Sequence, residues 1–406
     1  MFSRKLTLLA AATAGLLVGT TLASAGEVTW WTPNFNEARA RELVKTFEAA
    51  HPDIKVKLEI TAADGLAQRI LTTMQSGAAP DLIDVQHGWV NGYARNELVT
   101  KLDDVIEDRD DYVPGALAYG TYDNALWAIP YRIESHAVIY NKDHFREAGL
   151  DPEKSLETWP QLVEAAKKLT REGRSGFAIT GGGEVGNTIF RSLPFIWMNG
   201  GSIISEDQTK ATVNEPKAVE AVKFYTDMYT ELKASPASTL ENDGTANRRL
   251  FIAGTVSMYQ SGQFDVVSIR KENPKIDVGV MPIPHPEGAQ TASILGGWSL
   301  VIPKQARNPE DGKVLLKFLA KAENQAILTD TFPARTSGMS AERFKNPDLN
   351  AFKEMLPHGR ALPANKNWVQ ITQAYFDGIQ RILLGDEDVQ TSMDHAAEDI
   401  QALLDQ

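Results

Sequence analysis

None of the 406 residues is cysteine. That rules out disulfides, a thiolate metal site and a lipid-bearing cysteine at a processed N-terminus. Positive charge is also scarce: 41 Lys and Arg stand against 53 Asp and Glu, a net charge of −12. This balance favours solubility and argues against nucleic acid or an anionic membrane surface as partner. Beyond residue 25 no apolar run approaches bilayer-spanning length. The chain also lacks low-complexity tracts, short repeats and any linker rich in Gly, Ser or Pro. A Gly-x-Ser-x-Gly elbow, a metal motif and a nucleotide phosphate loop are missing as well.

The first 25 residues do carry a pattern. Arg4 and Lys5 precede an apolar stretch from Leu6 to Leu22, and Ala23-Ser24-Ala25 supplies small residues for cleavage. This is the expectation for a secretory signal peptide over residues 1–25; as a membrane anchor the stretch is short and interrupted by Gly15 and Gly19. Cleavage removes two positive charges and moves the net charge from −12 to −14. Export without a lipid anchor places the mature protein in a Gram-negative periplasm. About 380 residues remain, too many for one core, and two domains are expected.

Thr29-Trp30-Trp31-Thr32-Pro33 reads as a short strand running into a polar loop, Asn34-Phe35-Asn36, that opens a helix over Glu37–Ala50. Alternation puts Trp30 and Trp31 on opposite faces, mostly as core. His51-Pro52 stops the helix, and Ile54–Ile60 alternates apolar and charged residues as a half-buried strand. A second helix, Leu66–Met74, ends at Gly77, and Pro80-Asp81 introduces the buried strand Leu82–Val85. Strand, helix, strand, helix, strand predicts an α/β fold with a parallel sheet. Trp127–Pro130 and Ala137–Tyr140 read as two strands separated by Tyr131–Ser135. Helices follow at Leu162–Leu169 (capped by Thr158), Lys217–Leu232, Ala246–Ala253, Pro309–Lys321 and Trp368–Leu384, with strands at Ser257–Tyr259, Val278–Pro282 and Ser299–Ile302.

Several stretches together resemble a known family: Phe47–Val56, Gly77–Ile83, Ile129-Pro130-Tyr131 with Ile139–Asp143, Thr158-Trp159, Phe251–Met258 and Gly296-Gly297-Trp298. In order and spacing they are similar to the family 1 extracellular solute-binding proteins, the maltose-binding-protein-like sugar binders of ATP-driven importers. The resemblance implies a two-lobed periplasmic-binding-protein fold of the type II kind, with a ligand cleft between lobes and multiple hinge crossings. It divides the chain into lobe one at 27–133 plus 296–332 and lobe two at 134–295 plus 333–406. It further implies a small-molecule sugar as ligand, membrane permease subunits as partners, a monomer, no cofactor and no catalysis.

Candidate ligand residues cluster at strand ends, where open α/β folds hold ligands. Asn34, Asn36 and Glu37 follow the first strand and otherwise serve as helix caps. Asp84, Gln86 and His87 end the buried strand; Asp84 is either a sugar ligand or a buried, paired carboxylate. His87 has no histidine at ligand spacing, so a metal is not expected. By resemblance, Glu134 matches a sugar-contacting glutamate, Tyr259 and Gln263 end a strand facing the cleft, and Trp368 matches a cleft aromatic. Gly297 and Trp298 offer a backbone approach and a stacking platform, against a plain core role for the tryptophan. Gly182 lies in a glycine run that either cradles an anion or simply turns. Arg335 could bond a hydroxyl or an anionic substituent, or pair at the surface.

The resemblance has departures. Val85 and Gln263 stand where the relative places groove aromatics, and Gly88 and Trp89 where it has a pocket aspartate and arginine. A monosaccharide, a small disaccharide or a sugar bearing a charged group is therefore expected rather than a long oligosaccharide. Arg335 and the glycine run keep open a glycerol-phosphate-type solute. Asp84 and Glu134, as paired carboxylates, keep open a secreted glycoside hydrolase.

Overall fold

The computed structural model describes residues 26–62 and 65–406; the expected signal peptide lies outside them. Two sheets organise the chain. The larger has six strands in the order Phe332–Pro333, Ile129–Glu134, Gly296–Val301, Leu82–Gln86, Gly26–Pro33 and Ile54–Thr61. The last three are mutually parallel, as the strand–helix alternation predicts. Gly296–Val301 runs antiparallel to both its neighbours, so the finished sheet is mixed. The smaller sheet places His136–Asn141 between Met258–Gly262 and Val278–Met281, all antiparallel.

The helices stop and start where local chemistry requires. Glu37–Ala50 buries Ala40, Leu43 and Phe47 at helical spacing and ends before Pro52. Trp159–Leu169 begins with a capping box: Gln161 N–H donates to the Thr158 hydroxyl, while Thr158 N–H donates to the Gln161 side chain. Asn141, Asp243 and Asp388 cap three further helices by accepting from backbone N–H groups. No helix among the described residues is long and apolar enough to cross a membrane.

One sequence expectation is corrected. Tyr131–Glu134 is not a connection between two strands; it is strand, and only Ser135 separates Ile129–Glu134 from His136–Asn141. The charged residues disguised it. Arg132 and Glu134 alternate with Tyr131 and Ile133, and Arg132 is buried because it pairs with Glu134 at 2.7 Å and with Asp330 at 2.6 Å. The chain thus passes from one sheet to the other through a single buried serine. The Ser135 hydroxyl donates to the Phe352 carbonyl at 2.7 Å, and His136 N–H donates to the Ser293 hydroxyl at 2.8 Å. A second connection into the larger sheet lies at Leu295, between the short strand Ser293–Ile294, which pairs with Gly359–Arg360, and Gly296–Val301.

At the heart of the larger sheet sits Asp84, 1% exposed. Its carboxylate accepts hydrogen bonds from the Trp30 indole (2.8 Å), the Thr32 hydroxyl (2.5 Å), the Tyr131 hydroxyl (3.0 Å) and the Asn36 amide (3.3 Å). Three strands and the turn after the first are tied to one group. Burial raises its pKa to about 6, and the four donors only partly offset that cost. A folded-state pKa above the unfolded one means that protonation favours the fold, so the contribution is present below pH 4 and lost as pH rises through 6. The stability advantage of wild type over Asp84→Asn should therefore be about 2 kcal/mol larger near pH 4 than at pH 7. Denaturant midpoints at the two pH values measure it, and an unchanged gap would refute the linkage.

Candidate functional site

The carboxyl end of Leu82–Gln86 leads into a 3-10 turn, His87–Trp89, and a short helix, Val90–Arg95. Beside it, Gly296–Val301 pairs in register Trp298 with Gln86, and Gly296 with Glu134 on its other side. Gly297 has φ of +147°, and a Cβ there would collide with the Arg132 carbonyl oxygen and the His87 ring. Only glycine lets these strands converge so closely. Trp298 follows, 5% exposed, meeting the Phe35 ring edge-on at 5.2 Å and the Trp89 ring at 5.8 Å. Arg132 stacks over the other partner, Phe35, at 5.1 Å.

This strand-end floor is covered from the other side by two helices. Val185–Met198 brings Phe190 with Glu184 and Gly186 at its start, and Trp368–Leu384 brings Trp368, Thr372 and Gln373. Between floor and helices lies a chamber of about 460 Å³. It opens at one end into a space of about 490 Å³ bordered by Asn91, Arg95, Asn365 and Lys366, with Trp89 and Trp368 shared. At the other end it adjoins a smaller chamber of about 270 Å³, sharing Gln86, Glu134, Glu184 and Phe190. Apolar ring faces and a few polar groups meet across one cleft, the usual make-up of a small-molecule site.

The electrostatics are set by burial. His87 stacks on Tyr119 at 4.8 Å, and enclosure lowers its pKa to about 3, so the imidazole is neutral at ordinary pH. Burial also works against the Asp330 carboxylate, yet the charge and hydrogen bond of Arg132 hold it below its usual range. Among the described residues no group of three or more acidic, histidine or cysteine side chains could hold a metal ion.

Of the candidates read from sequence, Gln86, His87, Glu134, Gly297, Trp298 and Trp368 all line the central chamber. The others lie elsewhere, for physical reasons. Asn36 gives its amide to Tyr131 at 2.6 Å and to Asp84, and makes no cap bond to its helix. Asp84 is sealed inside that same knot, so it cannot serve with Glu134 as a pair of exposed catalytic carboxylates. Asn34 is exposed outside the chambers, and Glu37 pairs with Arg41 at 2.8 Å on the helix surface. Tyr259 is fully buried and donates to Asp265 at 3.0 Å, and Gln263 is enclosed at the start of its helix. Gly182 packs against the Leu240–Glu241 backbone. Arg335 is clamped by Asp108 and Asp111 over the Tyr112 ring, away from the cleft.

Sequence reasoning missed Trp89, Tyr119, Glu184, Phe190, Thr372 and Gln373 as lining residues. Trp89 carried a signal, since it lies three residues past Gln86 at a strand end. The others face the cleft only because helices distant in sequence pack over it.

Comparison with known proteins agrees with this geometry. The family model of bacterial extracellular solute-binding proteins matches residues 32–326. A binding protein of Brucella abortus (strain 2308) is 26% identical, covering 96% of this chain and 98% of its own. The sn-glycerol-3-phosphate-binding periplasmic protein of Pectobacterium atrosepticum is 25% identical, covering 97% and 95%. Among solved structures, a solute-binding protein of an ABC transporter from Thermotoga lettingae, bound with alpha-D-tagatose, is 26% identical with a TM-score of 0.82, covering 93% of this chain and all of that one. The α/β architecture is the two-lobed one of such structures, with the cleft between the sheets' carboxyl-end loops and the covering helices. This chain belongs to the bacterial extracellular solute-binding proteins.

Proposed function

We propose that the chain captures a sugar in the periplasm, a monosaccharide or small disaccharide, and delivers it as a monomer to an ATP-driven membrane importer. The observation that carries this reading is the central chamber, where Trp298, Trp89, Trp368 and Phe190 surround Gln86, Glu134 and Gln373. A sugar ring has an apolar C–H face for an aromatic wall and hydroxyls for side-chain amides and carboxylates. The tagatose complex of the Thermotoga relative supports the same ligand class. A second reading, a glycerol-phosphate-type solute, draws on the name of the Pectobacterium relative. Arg335, held by two aspartates outside the cleft, lends it nothing.

We assign lobe one to 27–133 plus 296–332 and lobe two to 134–295 plus 333–406, with Glu134-Ser135 and Leu295-Gly296-Gly297 as the hinge. Glu134 pairs with Gly296 in the larger sheet, so the two proposed hinge segments lie side by side. Closure about these short connections would bring Thr372 and Gln373 down onto a ligand resting on Trp298.

Thermal unfolding against a panel of neutral, substituted and phosphorylated sugars tests the ligand class. A true ligand at about a thousandfold its Kd adds roughly 4 kcal/mol to the fold. If no sugar shifts the transition while glycerol phosphate does, the second reading replaces the first. The tryptophans should separate by role. Trp298→Ala, cutting a buried ring, should cost about 3–5 kcal/mol of stability. Trp368→Ala, at a half-buried helix start, should cost less than about 1 kcal/mol yet weaken sugar binding at least about tenfold. Equal affinities for wild type and Trp368→Ala by titration calorimetry would remove Trp368 from the site.

A further inference from the structure

The smaller chamber, of about 270 Å³, differs in character from the central one. Its wall includes Arg191, 7% exposed, on the inner face of the helix Val185–Met198. The guanidinium donates through Nε to the Gln260 carbonyl at 3.1 Å and through Nη1 to the Asn187 carbonyl at 3.0 Å. Those bonds fix the group without neutralising it, since among the described residues none of its hydrogen-bond partners is a carboxylate. Nη2 points toward Gly244, another residue of the chamber wall, where a Cβ would collide with it. The glycine lets the guanidinium pack close, and Nη2 has no hydrogen-bond partner among the described residues.

Asp265 and Asp243 are near enough for their charges to act on Arg191, but neither is hydrogen-bonded to it. Arg248 pairs with Asp265 at 2.9 Å, and Asp265 also accepts from the Tyr259 and Ser261 hydroxyls. Glu134 is held by Arg132 at 2.7 Å, and Glu184 is exposed to solvent. His136, in the same wall, is buried with its Nδ1 lacking a partner among the described residues, and enclosure together with the Arg191 charge keeps its ring neutral. A buried, fixed guanidinium with no carboxylate bonded to it is costly unless something anionic meets it.

We infer that this chamber is a subsite for a single carboxylate carried on the sugar, received by the Nη2 edge of Arg191 with the His136 imidazole beside it. The inference rests on the sugar reading above and narrows it to an acidic sugar, such as a uronic acid. The chambers share Gln86, Glu134 and Phe190, so a ring on Trp298 can extend its acidic substituent into the smaller space. Carboxylate is favoured over a phosphate ester because, among the described residues, one cation of this chamber has no carboxylate bonded to it, and Glu134 and Glu184 border the same space. A phosphate would bring close to two negative charges.

Titration calorimetry with D-galactose, D-glucose, D-galacturonate, D-glucuronate and glucose 6-phosphate tests this on the intact protein. At least one uronate should bind about thirtyfold or more tighter than its parent sugar, and Arg191→Met should erase that preference while leaving parent-sugar affinity within about threefold. Arg191→Lys, which keeps the charge, should retain part of the preference, and circular dichroism checks that each variant folds. Should Arg191→Met not fold, the wild-type preference together with Arg191→Lys decides. Equal binding of uronates and parent sugars overturns the carboxylate subsite and leaves the sugar reading standing. Tighter binding of glucose 6-phosphate than of either uronate overturns the assignment to carboxylate. If no panel member binds, both the subsite and the sugar reading on which it rests are overturned.

Discussion

The guanidinium of Arg132 joins parts of the molecule that sequence keeps far apart. It lies within the strand that leads to the first connection between the sheets and is almost wholly enclosed. Glu134, the last residue of that strand, and Asp330, just before the edge strand Phe332–Pro333, both pair with it. Its face lies over Phe35, whose ring supports Trp298. Removing the cation would strip two partly buried carboxylates, Glu134 and Asp330, of the ion pair each makes here, which is far costlier than losing a surface pair. The same charge therefore holds the strand end beside the first connection between the sheets, the segment before the edge strand and the aromatic floor of the cleft.

The floor and the fold are built by one set of strands. Asp84 ties the first, third and fourth long strands of the sheet together through Trp30, Thr32 and Tyr131. Two residues on, Gln86 faces the cleft. A buried polar knot beside a wet polar site is a division of labour along one strand: the inward carboxylate is fully hydrogen-bonded, which fixes the backbone that presents the next side chains. Gly297 does the corresponding work from the neighbouring strand, where any side chain would push the Arg132 carbonyl and His87 away.

How much of this was legible depended on the distance over which each decision was made. Trp298 and Gly297 were readable because a glycine pair beside a tryptophan at a strand start is a local signal. Asp84 was readable as unusual, since it interrupts an apolar run, but whether it met a ligand or four internal donors was not. Arg335 looked like a cleft cation, yet Asp108 and Asp111, more than two hundred residues earlier, had already taken it. Arg132 and Glu134 looked like a loop because a charged pair inside a strand is affordable only with a third partner, Asp330, that lies 198 residues on.

The sequence alone determined the periodicities, caps and breaks that make the parallel start of the larger sheet and its helices, because those rest on contacts within a few residues. It also set the acidic, cysteine-free composition. Tertiary structure alone decided which helices cover the strand ends and therefore which side chains see the cleft. Phe190 and Gln373 lie on helices whose inner faces read simply as apolar core, until the two sheets fix what they face. It decided, too, that Arg191 would be buried against Gly244 and held by the Gln260 carbonyl, since both arrive from elsewhere in the chain. Desolvation and charge pairing act through space, and a linear pattern records only what acts along the chain.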